Sequence, residues 1–490
     1  MPRAHNQVTR RGLFAGLSVF LCLLPAGVTV AQPGGTAAYD IVIRNGRVMD
    51  PETGLDAAGV AVGIRGKTIA SISRDPIRGR AEVDARGLVL APGFIDILSY
   101  NPNGYGVWYK IADGVTTNLS MHGAEGTQGD MAAWYRIQTN QRPPVHFGGA
   151  FHYEAARTRL GVGRYRPAGV EQVARLVALA EKALLDGALG IAMSPEYAPG
   201  TSTGEIEAMM RVAARYNVPV VFHARYSDMT PPGTNLDALK EIVAAARKTG
   251  AAAHIGHINS TGGTFSMVES LRFLEAARKE GLDITADAYP YSFWATYLNS
   301  ARFDPGWQER FRISYGDLQI AGTSERLTAE SFQRYRKTRK VAVAYAIPED
   351  DIVAALRSPF VMIGSDAILE PGNNNHPRAA GTFTRTLSVY ARDRQVLTLM
   401  EALTKMTIMP ARRLEAQAPA LRRKGRLQVG ADADIVVFDP ARVRDRATVE
   451  RPNQFAEGIE YVLISGKVVK DPRGLRRDVR AGEAVRAVFR

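Results

Sequence analysis

Val218-Pro-Val-Val-Phe-His223 is a short apolar run that ends in a histidine, and Ala252-Ala-His-Ile-Gly-His257 repeats the form one helix later. Between them, residues 235–249 bring apolar side chains back at helical spacing. Buried strand, amphipathic helix, buried strand is the repeating unit of a parallel sheet. Outward from this unit the alternation continues. Candidate buried strands fall at 89–96, 115–120, 145–149, 189–193, 218–223, 252–257, 283–287 and 361–366. Amphipathic segments at 170–186, 204–216, 235–249 and 266–280 separate several of them. Eight strands alternating with helices predict an α/β fold, a closed (β/α)₈ TIM-like barrel.

The two ends have a different pattern. Residues 41–48 and 59–72 are short strands between Asp, Pro and Gly turns, and 434–438, 461–464 and 466–469 repeat that character. They belong together only if the chain leaves a small β-sandwich, builds the barrel and returns. The expected organisation is a discontinuous β-sandwich domain, 32–87 plus 425–490, around a catalytic barrel of 88–424. An insertion at about 297–350, rich in Arg, Tyr and Phe, is too long for an ordinary connection and is expected as an active-site lid or a helical insertion.

The 490 residues are 46% hydrophobic and 23% charged, which excludes a disordered or collagen-like chain. A formal charge of +13 favours small acidic molecules as partners, and no cluster of basic and aromatic residues marks a nucleic-acid site. Residues 1–31 have the form of an export signal. Arg3, Arg10 and Arg11 precede the uncharged, largely apolar run Leu13 to Leu24, and Thr29-Val-Ala31 places small residues before a cut at Gln32. Thr9-Arg-Arg-Gly-Leu-Phe14 resembles a twin-arginine signal, with an ordinary secretory signal as the alternative. The mature protein is therefore expected in the periplasm or secreted, without a stable membrane anchor. The single cysteine, Cys22, lies in this leader, so the mature chain has neither a thiolate nucleophile nor a cysteine metal ligand.

Chemistry in such a barrel sits at the C-terminal ends of the strands. Asp96, His122, His223, His257, Asp287 and Asp366 occupy those ends. The chain has only eight histidines, His5 among them in the leader, so three at strand ends exceed what composition predicts. Neutral imidazoles converging with a carboxylate suit zinc or a similar divalent ion. His254 alternates with His257 and is expected to face the helices in a structural role. His146 and His152 bracket a short strand and are left unassigned.

Longer motifs surround these residues. They include Asp40-Ile-Val-Ile-Arg-Asn-Gly46, Ala91-Pro-Gly-Phe-Ile-Asp96, Gly114-Val-Thr-Thr117, His223-Ala-Arg225, Gly256-His-Ile258 and Thr285-Ala-Asp-Ala-Tyr-Pro-Tyr291. Gly364-Ser-Asp366, His376-Pro-Arg378, Gly381-Thr-Phe383, Lys405-Met-Thr407, Gly425-Arg-Leu427 and Ala433-Asp-Ile-Val-Val-Phe-Asp439 follow in order. With them the chain resembles the amidohydrolase superfamily and, within it, the N-acyl-D-amino-acid deacylase (D-aminoacylase) family, over nearly all of 39–490. The resemblance implies a metal-dependent amide hydrolase acting on N-acyl-D-amino acids. It implies that His223 and His257 hold the principal zinc. It makes Asp366 the general base for a metal-activated water and then the acid to the leaving amine. Arg378 matches a clamp on the substrate α-carboxylate, and Tyr289 a tyrosine near the scissile carbonyl.

The departures from that pattern are specific. Members usually carry His-x-His after Phe-Ile-Asp, and here Leu98 and Tyr100 stand in those places, so a second metal position is expected to be lost. The strand-2 cysteine ligand is absent, with His122 within one residue of its position. The expectation is a three-histidine site, His122, His223 and His257, for one divalent ion, with zinc as the expected species. A family lysine is Asn259 and a family serine is Ala295, so substrate contacts differ. Three functions stay open on the sequence. The first is N-acyl-D-amino acid deacylation. The second is hydrolysis of a cyclic amide, lactam or ester on the same fold. The third is a catalytically silent exported protein that binds acidic small molecules.

Overall fold

The computed structural model describes residues 38–230 and 233–489; the expected leader at 1–31 lies outside the described residues. Eight strands form the barrel: Phe94–Asp96, Val115–Ser120, His146–Gly149 continuing as Phe151–His152, Ile191–Met193, Val220–Phe222, Ala253–Ile255, Ile284–Ala288 and Val361–Ile363. Neighbouring strands pair in parallel. The ring closes where the Asp366 N–H donates to the Leu98 carbonyl at 2.7 Å.

Alternation along each strand divides its side chains between two cores. Val220, Phe222, Ala253 and Ile255 face outward and pack with Ile206, Met210, Leu239 and Ile242 of the helices. Val221, Ala192, Leu119 and Met362 face inward and fill the barrel with Ile95 and Leu98. The helices have legible ends. Ser202 and Glu205 form a capping box for Thr203–Arg215, and Asn235–Thr249 runs from the Thr234 cap to Gly250, whose φ of 72° lies in the left-handed region.

The predicted strand 89–96 is two strands. Val89–Pro92 pairs parallel with Tyr39–Asp50 and antiparallel with Ile435–Phe438, and only Phe94–Asp96 belongs to the barrel. Gly93 makes the break: a Cβ there would lie 2.2 Å from the Thr116 hydroxyl, so the chain crosses between sheets where only glycine fits. The strand expected over 59–72 is likewise a hairpin, Leu55–Arg65 and Thr68–Ser73 turning at Gly66-Lys67. Strands from both ends of the chain share one nine-stranded sheet, with Val89–Pro92 and Ile435–Phe438 at the seam.

The insertion is not a plain helical segment, because it carries its own small sheet. Trp294–Tyr297, Val341–Ala344 and Leu318–Ile320 form an antiparallel sheet. With the helices Trp307–Phe311 and Ala329–Tyr335 it encloses Trp294, Phe303, Trp307, Phe311 and Phe332. Among the described residues no helix is long and apolar enough to cross a membrane.

Candidate active site

His122 follows the second barrel strand, His223 the fifth and His257 the sixth. His223 is anchored by its own N–H, which donates to the Met193 carbonyl at 2.9 Å. His257 is two residues past its strand and has a φ of 34°, a left-handed conformation uncommon for a side-chain-bearing residue. The Asp287 carboxylate accepts the His257 N–H at 3.1 Å and fixes that turn. The outcome is convergence: one ring nitrogen from each of His122, His223 and His257 lies within 4.8 Å of the other two.

The tautomers are set from outside. His223 Nε2 is 2.5 Å from Glu196, whose carboxylate also accepts from Ser227 Oγ at 2.8 Å. A proton held on Nε2 leaves the Nδ1 lone pair facing His257 Nε2, 3.1 Å away. On its far side, His257 Nδ1 is 3.1 Å from the Ser260 hydroxyl. Burial keeps both rings well below the ordinary imidazole range, and hence neutral. With the His257 proton on Nδ1, donated to Ser260 Oγ, the two imidazole lone pairs face each other and suit a cation between them. Tetrahedral zinc with bonds of ~2.0–2.1 Å would separate two nitrogens by roughly 3.3 Å, so the donor set fits such an ion.

Asp366 lies three residues past the eighth strand with a φ of 49°, another left-handed residue. Its carboxylate lies 3.5 Å from His122 Nε2, 3.9 Å from His257 Nε2 and 3.5 Å from the Tyr100 hydroxyl. Arg378 Nη2 is 2.8 Å from its Oδ2, and Arg378 Nε donates to its backbone carbonyl at 3.2 Å. Burial pushes the Asp366 carboxyl up, but the Arg378 guanidinium outweighs it and holds the group at about 2. It is a carboxylate at neutral pH.

Arg378 opens the helix Arg378–Arg385, where His376 Nδ1 accepts its N–H at 2.9 Å. Its guanidinium lies 4.5 Å over the Tyr289 ring. Two buried groups here have no partner: Arg378 Nη1 and the Tyr289 hydroxyl. Burial raises the Tyr289 hydroxyl to about 12, so it remains a donor. All six residues singled out in the sequence (His122, His223, His257, Asp366, Arg378 and Tyr289) thus meet at one end of the barrel.

The other strand-end residues have bracing roles. Asp96 pairs with buried Lys110 at 2.6 Å and accepts from the Ser365 hydroxyl at 2.6 Å, which holds the eighth strand to the first. His254 differs from expectation: it faces the barrel interior, between Asp287 (2.8 Å) and the Thr285 hydroxyl (2.8 Å). Alternation does not carry through to His257 because the strand stops at Ile255 and the left-handed turn at His257 reverses the direction of that ring. Leu98 and Tyr100 fill the places of the missing histidines. Leu98 packs against Gly256 and Gly364, and Tyr100 stacks on His122 with centroids 5.1 Å apart. Asn259 Nδ2 donates to the Tyr289 carbonyl at 2.9 Å and so positions that tyrosine.

Glu196 is the residue missed in the sequence. It lies three residues after Ile191–Met193, where a wider search past the strand end would have met it, but only the fold shows that it faces His223. Tyr197 beside it has its ring 4.5 Å from that of His223.

Comparison with known proteins meets this geometry. Residues 111–470 match the amidohydrolase family. The chain belongs to the amidohydrolase family. It is 31% identical over 491 residues to an N-acyl-D-glutamate deacylase of Alcaligenes xylosoxydans xylosoxydans, covering 90% of this chain and 97% of that protein. The N-acyl-D-glutamate deacylase of Bordetella bronchiseptica, solved with zinc and a phosphonate mimic of the tetrahedral intermediate, has a TM-score of 0.78 at 26% identity, covering 92% of this chain and 100% of its own. A D-aminoacylase whose binuclear metal centre shows one-metal activation and second-metal attenuation has a TM-score of 0.79 at 25% identity, with coverage of 92% and 100%. This amidohydrolase therefore sits with the N-acyl-D-amino-acid deacylases. It is a metal-dependent hydrolase acting on carbon–nitrogen bonds, which sets aside the silent binding protein.

Proposed function

We propose that this amidohydrolase deacylates N-acyl-D-amino acids with one divalent ion, zinc, held by His122, His223 and His257. One observation carries the reading. The Asp366 carboxylate adjoins the three imidazoles, while Arg378 Nη1 and the Tyr289 hydroxyl stand beside it buried and unpartnered. Buried donors without partners are costly and imply a ligand that meets them. A substrate α-carboxylate would do so through a charge-assisted bond from Arg378. The D configuration is taken from the relatives.

A divalent metal at the three histidines supplies Lewis acidity and a water of lowered pKa. Asp366 Oδ2 is pinned by Arg378, which leaves Oδ1, on the His122 and Tyr100 side, to accept the proton of the attacking water. The same carboxyl then returns that proton to the departing amine. Tyr289, held by Asn259 and stacked under Arg378, orients the substrate by donating from its hydroxyl. Glu196 keeps the Nε2 proton on His223 so that Nδ1 serves the metal. Leu98, Tyr100 and the Arg378 guanidinium support a single ion: the first two offer no imidazole, and the third already places positive charge on Asp366.

Metal analysis of the purified protein, with hydrolysis of matched N-acetyl-D- and N-acetyl-L-amino acids, tests this. One equivalent of zinc and turnover confined to the D series are expected. Two tightly held equivalents would overturn the mononuclear claim, and turnover of the L series alone would overturn the substrate class. The leader supports export to the periplasm. N-terminal sequencing of the fractionated protein should begin at Gln32, and an intact Met1 chain confined to the cytoplasm would refute it.

A further inference from the structure

A cavity of about 290 Å³ opens where Glu154, Tyr197 and Ala198 meet Tyr297, Ser300 and Ala301 of the insertion. Glu154 and Tyr197 follow the third and fourth barrel strands, so the cavity is on the catalytic face. Tyr197 is the wall it shares with the metal centre, since the same ring packs 4.5 Å from His223. Two buried polar atoms at this cavity have no partner, Glu154 Oε2 and Ser300 Oγ.

The neighbours do not satisfy them. Glu154 Oε1 is used by the Ser194 N–H, and Oε2 is 4.0 Å from His152 Nε2, beyond hydrogen-bond reach. Burial pulls His152 down to about 4, so it is neutral and supplies no counter-charge. Burial lifts the Glu154 carboxyl to about 7, the signature of an acid lacking a cation. Arg157 also lines the cavity but is spent: Nε donates to Glu205 at 2.8 Å, and its other nitrogens donate to the Gly163 and Arg166 carbonyls.

Direction follows from the deacylase reading, on which this inference rests. There the substrate carboxylate lies with Arg378 and Tyr289, beyond the eighth and seventh strands, and the scissile carbonyl lies at the histidines. The acyl group leaves that carbonyl on the opposite side, towards the third and fourth strands across the ring. We propose that the cavity is the acyl subsite, and that Glu154 and Ser300 select an acyl chain longer than acetyl whose far end donates hydrogen bonds, as an ammonium group does. A site built around an unmet buried acceptor discriminates strongly against an analogue lacking the donor. A carboxylate at the same place would meet like charge on Glu154.

The test compares four N-acyl forms of one D-amino acid: acetyl, pentanoyl, 4-aminobutanoyl and succinyl. Pentanoyl and 4-aminobutanoyl have the same length and differ only in the terminal methyl or ammonium group. In kcat/KM the 4-aminobutanoyl form should exceed the pentanoyl by about tenfold or more, with the succinyl form slowest. Glu154→Gln keeps the acceptor for Ser194 but turns the unmet oxygen into a donor, and should bring that ratio within about threefold. Ser300→Ala, on the insertion, should lower the ratio as well and keeps the test open if the first variant folds poorly. A pentanoyl rate equal to the 4-aminobutanoyl rate, or a ratio that persists in both variants, would overturn the subsite. Hydrolysis of the acetyl form without discrimination refutes the subsite and leaves deacylation standing. No hydrolysis of any form by zinc-loaded protein refutes both.

Discussion

Asp366 combines two properties that seldom meet in one carboxyl: it is buried, and it is held ionised by Arg378. Replacing it with Asn preserves the shape but removes the proton acceptor. Asp366→Asn should retain zinc by metal analysis and lose several orders of magnitude in kcat; near-normal turnover would eliminate it as the base. Arg378 spends Nη2 and Nε on Asp366, which leaves Nη1 for a substrate. Arg378→Lys cannot serve both. Losing a charge-assisted contact costs roughly 1.5–3 kcal/mol, about 10- to 150-fold in kcat/KM. That loss should fall on N-acyl amino acids and spare the corresponding amides, and equal losses on a matched acid and amide would sink the clamp. Glu196 acts through His223. Glu196→Gln should weaken zinc binding by about 10- to 100-fold in a chelator competition, a readout independent of turnover. Unchanged zinc affinity would make Glu196 a packing residue only.

The helix that carries Arg378 is an irregular one. Arg378–Arg385 passes directly into a π-helical stretch, Thr386–Asp393, and such transitions leave backbone groups without their usual partners. Asp113, at the end of the helix Val107–Ala112, reaches across to accept the Phe383 N–H at 3.0 Å, the Thr384 N–H at 2.8 Å and the Thr384 hydroxyl at 2.6 Å. Asp113→Ala would strand those donors in a buried setting, at a cost of about 1–3 kcal/mol. A lower melting temperature, together with a raised KM for N-acyl amino acids, is the expected result. An unchanged melting temperature would show that water replaces the carboxylate. The sequence offered only the motifs His376-Pro-Arg378 and Gly381-Thr-Phe383 here and not the change of pitch, which goes with these cross-helix bonds.

The barrel and the terminal sheet are joined through one buried charge cluster. Lys424 Nζ lies 2.9 Å from Asp432, 2.7 Å from Asp434 and 3.0 Å from His146 Nε2, which brings the third barrel strand, the chain leaving the barrel and the sheet to one point. Burial pushes the Asp434 carboxyl up, but His146 and Lys424 outweigh it and depress it strongly. A depressed folded pKa stabilises above the unfolded carboxylate value of ~3.9, and that stabilisation is lost as pH falls towards the folded one. Lys424→Met leaves buried carboxylates uncompensated and should cost about 3–5 kcal/mol near neutrality. Unfolding followed from pH 7 to pH 3 should show the gap between wild type and variant narrowing as pH falls. A gap that stays constant would place the penalty in packing rather than charge.

The fold class was legible because the hydrophobic periods of strand and helix are local. Residues 115–120 and 235–249 coincide with their observed elements, and the motifs around His223, His257 and Asp366 carried the family. The candidate metal ligands could be named for the same reason: a barrel places strand ends on one face whatever the details of packing. The sequence could not reveal what depends on approach between distant segments. Gly93 divides one apolar run between two sheets because Thr116 crowds it, and His257 reaches the metal site because a left-handed turn follows its strand, while His254 faces inward in register with Val221. Glu196 reaches His223 from the neighbouring barrel strand, and Arg378 gives most of its fork to Asp366 rather than leaving it free. Apart from the local turn at His257, these are contacts between separate elements, and they exist only once those elements have packed together.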